Sequence, residues 1–211
     1  MRTSLPFTHR QLSPSPPSRH EKGERGTTAI LPAILLIAFG IAARFLPHPA
    51  NFTPIGAIAI FGGLYLPKKL SVWLPLSAML ISDIFIGFYS LPIMASVYVG
   101  FMFANLLSLT ARGKLAYTKT AFGRFGTIAG ATALSSAIFY LLTNAAVWAF
   151  GSMYPHNFTG LLESYYLALP FFRNSLAGDV FFTFVLVGGM ELLKHTLRDS
   201  SALRRLANRS E

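Results

Sequence analysis

The chain has 211 residues, of which 53% are hydrophobic and 12% are charged, with a net charge of +10 and no cysteine. Soluble domains carry about 25% charged residues, so this composition argues against a soluble or disordered chain and indicates an integral membrane protein. The lack of cysteine excludes a disulfide framework and a cysteine-based zinc or redox site.

Residues 1–26 form a segment rich in Pro, Ser and basic residues, without an apolar run. Such a segment cannot bury enough surface to offset the entropy of ordering it, so we predict a disordered basic tail. It lacks the apolar region of a signal peptide. An organellar transit peptide remains an alternative, because the first 20 residues contain Arg and Ser and no acidic residue.

Six apolar segments follow the tail, and five of them are long enough to cross a hydrocarbon core of about 30 Å as helices. They are continuously apolar and do not alternate, which favours helices over barrel strands. We therefore predict an all-α polytopic membrane protein, a bundle of six transmembrane helices over residues 27–46, 53–66, 70–88, 92–111, 126–150 and 170–193. The second segment is short, so a re-entrant hairpin at 47–66 stays open as an alternative.

The basic residues predict the orientation of the bundle. Sixteen of the 18 Lys and Arg residues fall in the N-terminal tail, loops 67–69 and 112–125, and the tail 194–211. Only Arg44 and Arg173 fall on the other side. By the positive-inside rule, both termini are cytoplasmic, and residues 194–211 form a basic cytoplasmic tail.

The long outer loop, residues 151–169, contains apolar and aromatic residues at helical spacing, from Leu161 to Leu169. This spacing predicts a short interfacial helix that lies across the outer surface. Its aromatic residues could form an anchoring belt or a lid over a binding site, and the sequence leaves both open.

Polar and ionisable side chains inside predicted spans are costly, and here they share the outer half of the membrane. The candidate binding residues are Arg44, Asn51, Asp83, Asn144, Trp148, Arg173, Asn174 and Asp179. One interpretation is an outward-facing polar pocket with aromatic walls. The alternative is an ion-pair network that ties helices together. Arg173 and Asp179 are six residues apart, so they do not share a helix face and need partners from other helices.

Other motifs predict no chemistry. His48 and His156 lie on the same predicted side, but no third ligand accompanies them, so we predict no metal site. Glu191 and Lys194 form an ordinary helix-end pair. No enzyme or phosphate-binding motif is present, so we predict no enzymatic activity and no cofactor. The short cytoplasmic loops leave no room for a nucleotide-binding domain, so the energy for any uphill transport would come from a partner.

Four stretches carry a resemblance: RFLPHPANFTPIGAIAIFGGLY at 44–65, PLSAMLISDIFIGF at 75–88, TNAAVW at 143–148 and ALPFFRNSLAGDV at 168–180. They resemble an uncharacterised family of small bacterial inner-membrane proteins, which brings no known activity. The layout also resembles the substrate-binding S components of energy-coupling factor transporters. That resemblance implies a vitamin-type ligand near the outer face and docking to a transmembrane coupling subunit with two ATPases. Ala29 and Ala33 match the helix contact of those components best.

The leading hypothesis is therefore a substrate-binding membrane subunit, in a bacterial inner membrane, for uptake of a small nutrient. The second hypothesis is an autonomous small transporter or proton-coupled carrier, with Asp83 and Asp179 as titrating groups. A structural subunit without a ligand is the third, and an enzyme acting on lipid is the last. Nucleic acid is not an expected partner.

Overall fold

A computed structural model describes the backbone of residues 19–207 and the side chains of residues 30–197. The described chain contains six helices and no strand, which confirms the predicted all-α class. The helices are α1 Arg19–Phe45, α2 Ile55–Tyr65, α3 Lys68–Ile86, α4 Leu91–Leu115, α5 Ala121–Phe150 and α6 Phe158–Ala207. Four of them, α3 to α6, are long and apolar enough to cross a membrane.

The short helix α2 is the centre of the bundle. Every residue from 55 to 64 is buried, and α2 contacts all five other helices. Its sequence is apolar on all sides, and a helix without a polar face is stable only where its whole circumference is covered. The outer surface of the bundle, in contrast, exposes large apolar side chains such as Trp73, Phe85 and Phe122. The helix at the centre is therefore covered by protein, and the surrounding helices present an apolar exterior suited to lipid.

Contacts at the two ends show that α2 runs antiparallel to α1 and α3. Ala33 packs beside Leu66 and Leu74 at one end, and Arg44 pairs with Asp83 at the other. We call these the Lys68 end and the Arg44 end. Loops 46–54, 87–90 and 151–157 lie at the Arg44 end. The chain thus traverses the bundle once in α2, which the alternative of a re-entrant hairpin at 47–66 would not do.

The length of α2 differs from the prediction. The helix has 11 residues and is shorter than the predicted span of 53–66. Its length of about 16 Å is also less than the thickness of a hydrocarbon core, about 30 Å. Of the non-helical residues just before it, Pro54 is buried and Asn51 and Thr53 line a cavity, and irregular backbone is tolerated at membrane depth in such places. The hydropathy of residues 53–66 indicates an apolar segment but does not show where in it the helix begins.

The bounds of α1 and α6 also correct the prediction. Helix α6 has 50 residues and includes Pro170, so residues 158–169 form its first turns and are not a separate interfacial helix. They pack on α5, where the Tyr140 hydroxyl donates to the carbonyl of Tyr165 at 2.6 Å. Helix α1 begins at Arg19, inside the segment predicted to be a disordered tail, and α6 continues through most of the predicted C-terminal tail. Residues 1–18 and 208–211 of those tails lie outside the described residues.

A buried polar cluster joins α2, α3 and α4 near the Lys68 end. Pro75 has no N–H, so the carbonyl of Ser71 loses its helical donor. The side-chain amide of Asn105, which is only 2% exposed, donates to that carbonyl at 3.1 Å and to the carbonyl of Ala59 at 3.3 Å. Asn105 therefore replaces the backbone donor that Pro75 removes, and it fixes α4 against both neighbours.

Replacing Asn105 by Ala is expected to lower the free energy of unfolding by about 1–3 kcal/mol, because the buried Ser71 carbonyl loses its donor. In a Pro75→Ala background the backbone N–H of residue 75 can supply that donor, so the loss should be smaller. Unfolding in detergent, measured as a double-mutant cycle, checks this coupling. Thr110→Ala is the control, since the exposed Thr110 bonds only within α4. Equal losses in both backgrounds would contradict the assignment.

Candidate functional site

A cavity of about 300 Å³ opens near the Arg44 end, and all six helices contribute to its wall. Its lining comprises Arg44, His48, Asn51, Thr53, Gly56, Met79, Ile86, Tyr89, Val97, Gly100, Phe101, Ala104, Ser135, Phe139, Ser175 and Asp179. Small-molecule sites have this character, a mostly apolar wall with a few polar groups that converge on it.

One charge of the cavity wall is neutralised within the protein. A guanidinium nitrogen of Arg44 lies 2.6 Å from Oδ1 of Asp83 and 2.5 Å from the Ser82 hydroxyl. The Tyr98 hydroxyl donates to the other oxygen of Asp83 at 2.9 Å. Asp83 is only 1% exposed and lies behind Arg44, which is 17% exposed and borders the cavity. The pair therefore ties α1, α3 and α4 together with no net charge.

Asp179 has no such counter-charge. Its Oδ2 accepts a hydrogen bond from the Ser136 hydroxyl at 2.6 Å, and its carboxylate lies against Gly56 in the first turn of α2. Within residues 30–197, the ion pairs are Arg44–Asp83 and Lys194–Glu191. Asp179 thus brings an unpaired carboxylate to the cavity. The first turn of a helix carries a partial positive charge, which favours the ionised form.

Gly56 allows this arrangement, because a Cβ at that position would overlap the carboxylate of Asp179. Gly100 plays a similar part on the opposite wall, where a Cβ would lie 2.6 Å from the ring of Phe139. Phe139 in turn packs against Phe101, with ring centroids 4.9 Å apart. Two glycines therefore bring a carboxylate and an aromatic pair to the same cavity.

The mouth of the cavity is formed by loop residues. Asn51 has a positive φ of 65°, a left-handed conformation that Asn adopts more readily than most residues. It borders both this cavity and a second cavity of about 210 Å³, which is also lined by Asn144, Phe172 and Ser175. At the mouth, burial and the charge of Asp83 raise the pKa of Tyr89 above its usual value. Tyr89 therefore keeps its proton and can donate a hydrogen bond at neutral pH.

The predicted binding residues separate into four groups. Arg44, Asn51 and Asp179 line the first cavity, Asp83 lies behind Arg44, and Asn144 lines the second cavity. The other three residues line neither cavity. Trp148 donates to the carbonyl of Pro155 at 3.0 Å, Asn174 donates to the carbonyl of Ala50 at 3.0 Å, and the side chain of Arg173 is exposed. The predicted convergence of all the charged groups at one site therefore holds only for part of the set.

The sequence interpretation missed uncharged polar partners: Ser82, Tyr98, Asn105, Ser135, Ser136 and Ser175. All of them lie inside predicted apolar spans, so their position was a usable signal. Hydroxyls, however, satisfy themselves within a helix, as Ser82 does on the carbonyl of Ala78 at 2.7 Å. Their sequence position alone does not show which ones also reach another helix.

Two further predictions concern metal ligation and the contact of Ala29 and Ala33 with a partner. The part of the chain with described side chains contains no group of three or more His, Cys, Asp or Glu residues that could hold a metal ion. Ala33 is buried against Ile58, Leu66 and Leu74 and is therefore used within the bundle. The side chain of Ala29 lies outside the described set. Contact of Ala29 and Ala33 with a coupling subunit stays a prediction.

Comparison with known proteins gives one match. The model of a family described as "Family of unknown function (DUF6580)" matches residues 25–203, which include all six apolar segments. No curated protein and no solved structure matches the chain.

Proposed function

We propose that this chain, which belongs to the DUF6580 family of unknown function, is a membrane-embedded binding protein that captures a small molecule in its cavity. We assign it the role of substrate-binding subunit in an uptake system. The observation that carries the proposal is the cavity of about 300 Å³ at the Arg44 end, where the carboxylate of Asp179 has no counter-charge among residues 30–197.

The alternative, a purely structural network, accounts for two of the three charged residues at the first cavity, Arg44 and Asp83 but not Asp179. It explains Arg44 and Asp83, which satisfy one another together with Ser82 and Tyr98. It does not explain Asp179, because an unpaired charge inside a bundle costs stability that an apolar residue would not. A group retained at such a cost is more readily explained by a ligand.

The orientation follows from the distribution of charge. Lys68, Lys69, Arg112, Lys114 and Lys194 lie at or near the Lys68 end of their helices, so the positive-inside rule directs that end to the cytoplasm. Both termini are then cytoplasmic, and the cavity opens to the outside. Modification of a Ser152→Cys variant by an impermeant thiol reagent in intact cells supports this orientation, whereas modification only after lysis overturns it.

Energy coupling is assigned to partner subunits, because the described loops are too short to hold a nucleotide-binding domain. The six-helix layout and the cavity near one face support the resemblance to S components, and with it a vitamin-type nutrient and a bacterial inner membrane. The buried position of Ala33 leaves the docking surface on that helix unassigned.

Mass spectrometry of small molecules retained after gentle purification tests the proposal. We expect one molecule per chain in the wild type and its loss in Asp179→Asn, with both proteins folded. Arg173→Gln is the matched control, since that exposed side chain borders neither cavity and should keep the ligand. Reproducible absence of any retained molecule from the wild type, or equal retention in both variants, would count against the cavity as the site.

A proton-coupled carrier is the second candidate, favoured by the same unpaired carboxylate. Asp83 is held by Arg44, so a titrating role would fall to Asp179 alone. The two candidates differ in what the purified chain does in liposomes. Solute uptake driven by an imposed pH gradient, without any other protein, would favour the carrier.

A further inference from the structure

We propose that the ligand of this cavity is a small organic cation, an ammonium group on an apolar body, with Asp179 as its counter-ion. The proposal rests on the proposed function, because it names the chemical class of the molecule that the cavity takes. It is argued from the charges of the wall, from the groups beside Asp179 and from the composition of the remaining surface.

The described charges of the cavity leave one negative charge to be neutralised. Arg44 and Asp83 cancel each other at 2.6 Å, and Asp179 has no basic partner among the residues with described side chains. An anionic ligand would have to separate Arg44 from a carboxylate that is almost fully buried. A cationic ligand can bind without breaking any contact within the protein, and it forms an ion pair with the Asp179 carboxylate.

Burial disfavours the ionised form of Asp179, and two groups around it act in the opposite direction. Ser136 donates a hydrogen bond to it, and a donor stabilises the ionised form. The first turn of α2, beside Gly56, adds the partial positive charge of a helix N-terminus. These groups compensate the carboxylate only in part, so an attraction for a full positive charge remains.

The rest of the wall favours an organic cation over a metal ion. Ca²⁺ and similar hard cations take about six to eight oxygen ligands, and the described side chains hold no acidic cluster that could supply them. The wall instead presents Met79, Val97, Phe101 and Phe139. Aromatic faces attract ammonium groups, and apolar side chains cover the carbon atoms attached to them. Among the described residues, the same wall offers a metal ion a single unpaired carboxylate.

The natural absence of cysteine allows a direct measurement of the charge inside the cavity. A Ser175→Cys variant places one thiol in the cavity wall, four residues before Asp179 and therefore on the same face of α6. Ser152→Cys places the control thiol on the exposed loop at the same end. The probes are two methanethiosulfonates, the cationic trimethylammonioethyl and the anionic sulfonatoethyl reagent, applied to the purified full chain in detergent.

We expect the cationic reagent to modify Ser175→Cys about tenfold faster than the anionic one after normalisation to Ser152→Cys, because a nearby unit charge acts on the two reagents in opposite directions. Adding Asp179→Asn should remove this preference, and adding Asp179→Glu should keep it. An anionic preference, or a preference that survives Asp179→Asn, would overturn the cationic class and leave the cavity as a binding site. Failure of both reagents at Ser175→Cys, with normal reaction at Ser152→Cys, would show a closed cavity and overturn the proposed function as well.

Discussion

Replacing Arg44 by Met is expected to lower the free energy of unfolding by about 3–5 kcal/mol. The substitution leaves Asp83 only 1% exposed and without its cation. The Tyr98 hydroxyl and the backbone cannot replace a full positive charge. The reverse change, Asp83→Asn, should cost less, about 1–3 kcal/mol, because Arg44 borders the cavity and can be rehydrated there.

Arg173→Met is the matched control for this prediction. Arg173 is also an arginine at the Arg44 end, but its side chain is exposed, so its removal should change stability by less than about 0.5 kcal/mol. Reversible denaturation in mixed micelles measures all three variants. If Arg44→Met and Arg173→Met prove equally stable, the Arg44–Asp83 pair does not hold the bundle together.

The double variant Arg44→Met with Asp83→Leu separates loss of the pair from loss of one partner. A buried ion pair replaced by apolar side chains of similar volume is often as stable as the original. The double variant should therefore recover most of the stability that Arg44→Met loses. This recovery would show that the pair is retained for its position in the wall and not for its net contribution to stability.

The helices were predictable because each contains an apolar run. The driving force for burying such a run as a helix does not depend on which neighbours it packs against. The ends were not. Residues 112–115 and 121–125 continue α4 and α5 beyond the apolar region, since a helix can extend into polar surroundings without any change in hydropathy. The predicted sixth span begins at Pro170, but this residue lies inside α6, since membrane helices tolerate an internal proline when neighbouring groups satisfy the freed carbonyl.

The buried charges beside the cavity were predictable from the sequence, whereas their pairing was not. The cost of burying a charge identified Arg44, Asp83 and Asp179 from the sequence. Their partners depend on how each helix is rotated about its axis, and a helix that is apolar on all sides gives no signal for rotation. The one rotational inference the sequence allowed was the separate faces of Arg173 and Asp179. It is confirmed, since Asp179 lines the cavity and Arg173 does not.

The contact between Gly56 and the Asp179 carboxylate has a specific test. In Gly56→Ala the new methyl group would occupy the place of the Asp179 carboxylate, so the carboxylate must move away from the first turn of α2. We expect the retained ligand to be bound at least about tenfold more weakly, which corresponds to ~1.4 kcal/mol. Titration of the retained molecule back into the washed protein measures this loss.

Gly62→Ala is the control on the same helix, because its Cβ would meet Ser71 at 3.4 Å, an ordinary contact. Both substitutions add the same helix propensity to α2, about 0.5–1 kcal/mol, so any difference between them reports the local contact. Adding Asp179→Ser to Gly56→Ala shortens the displaced side chain and should restore stability without restoring binding. Restored stability without binding would show that the ligand needs the Asp179 carboxylate itself, in its position beside α2. Equal ligand affinity in Gly56→Ala and Gly62→Ala would instead show that the position of Asp179 against α2 is irrelevant to binding.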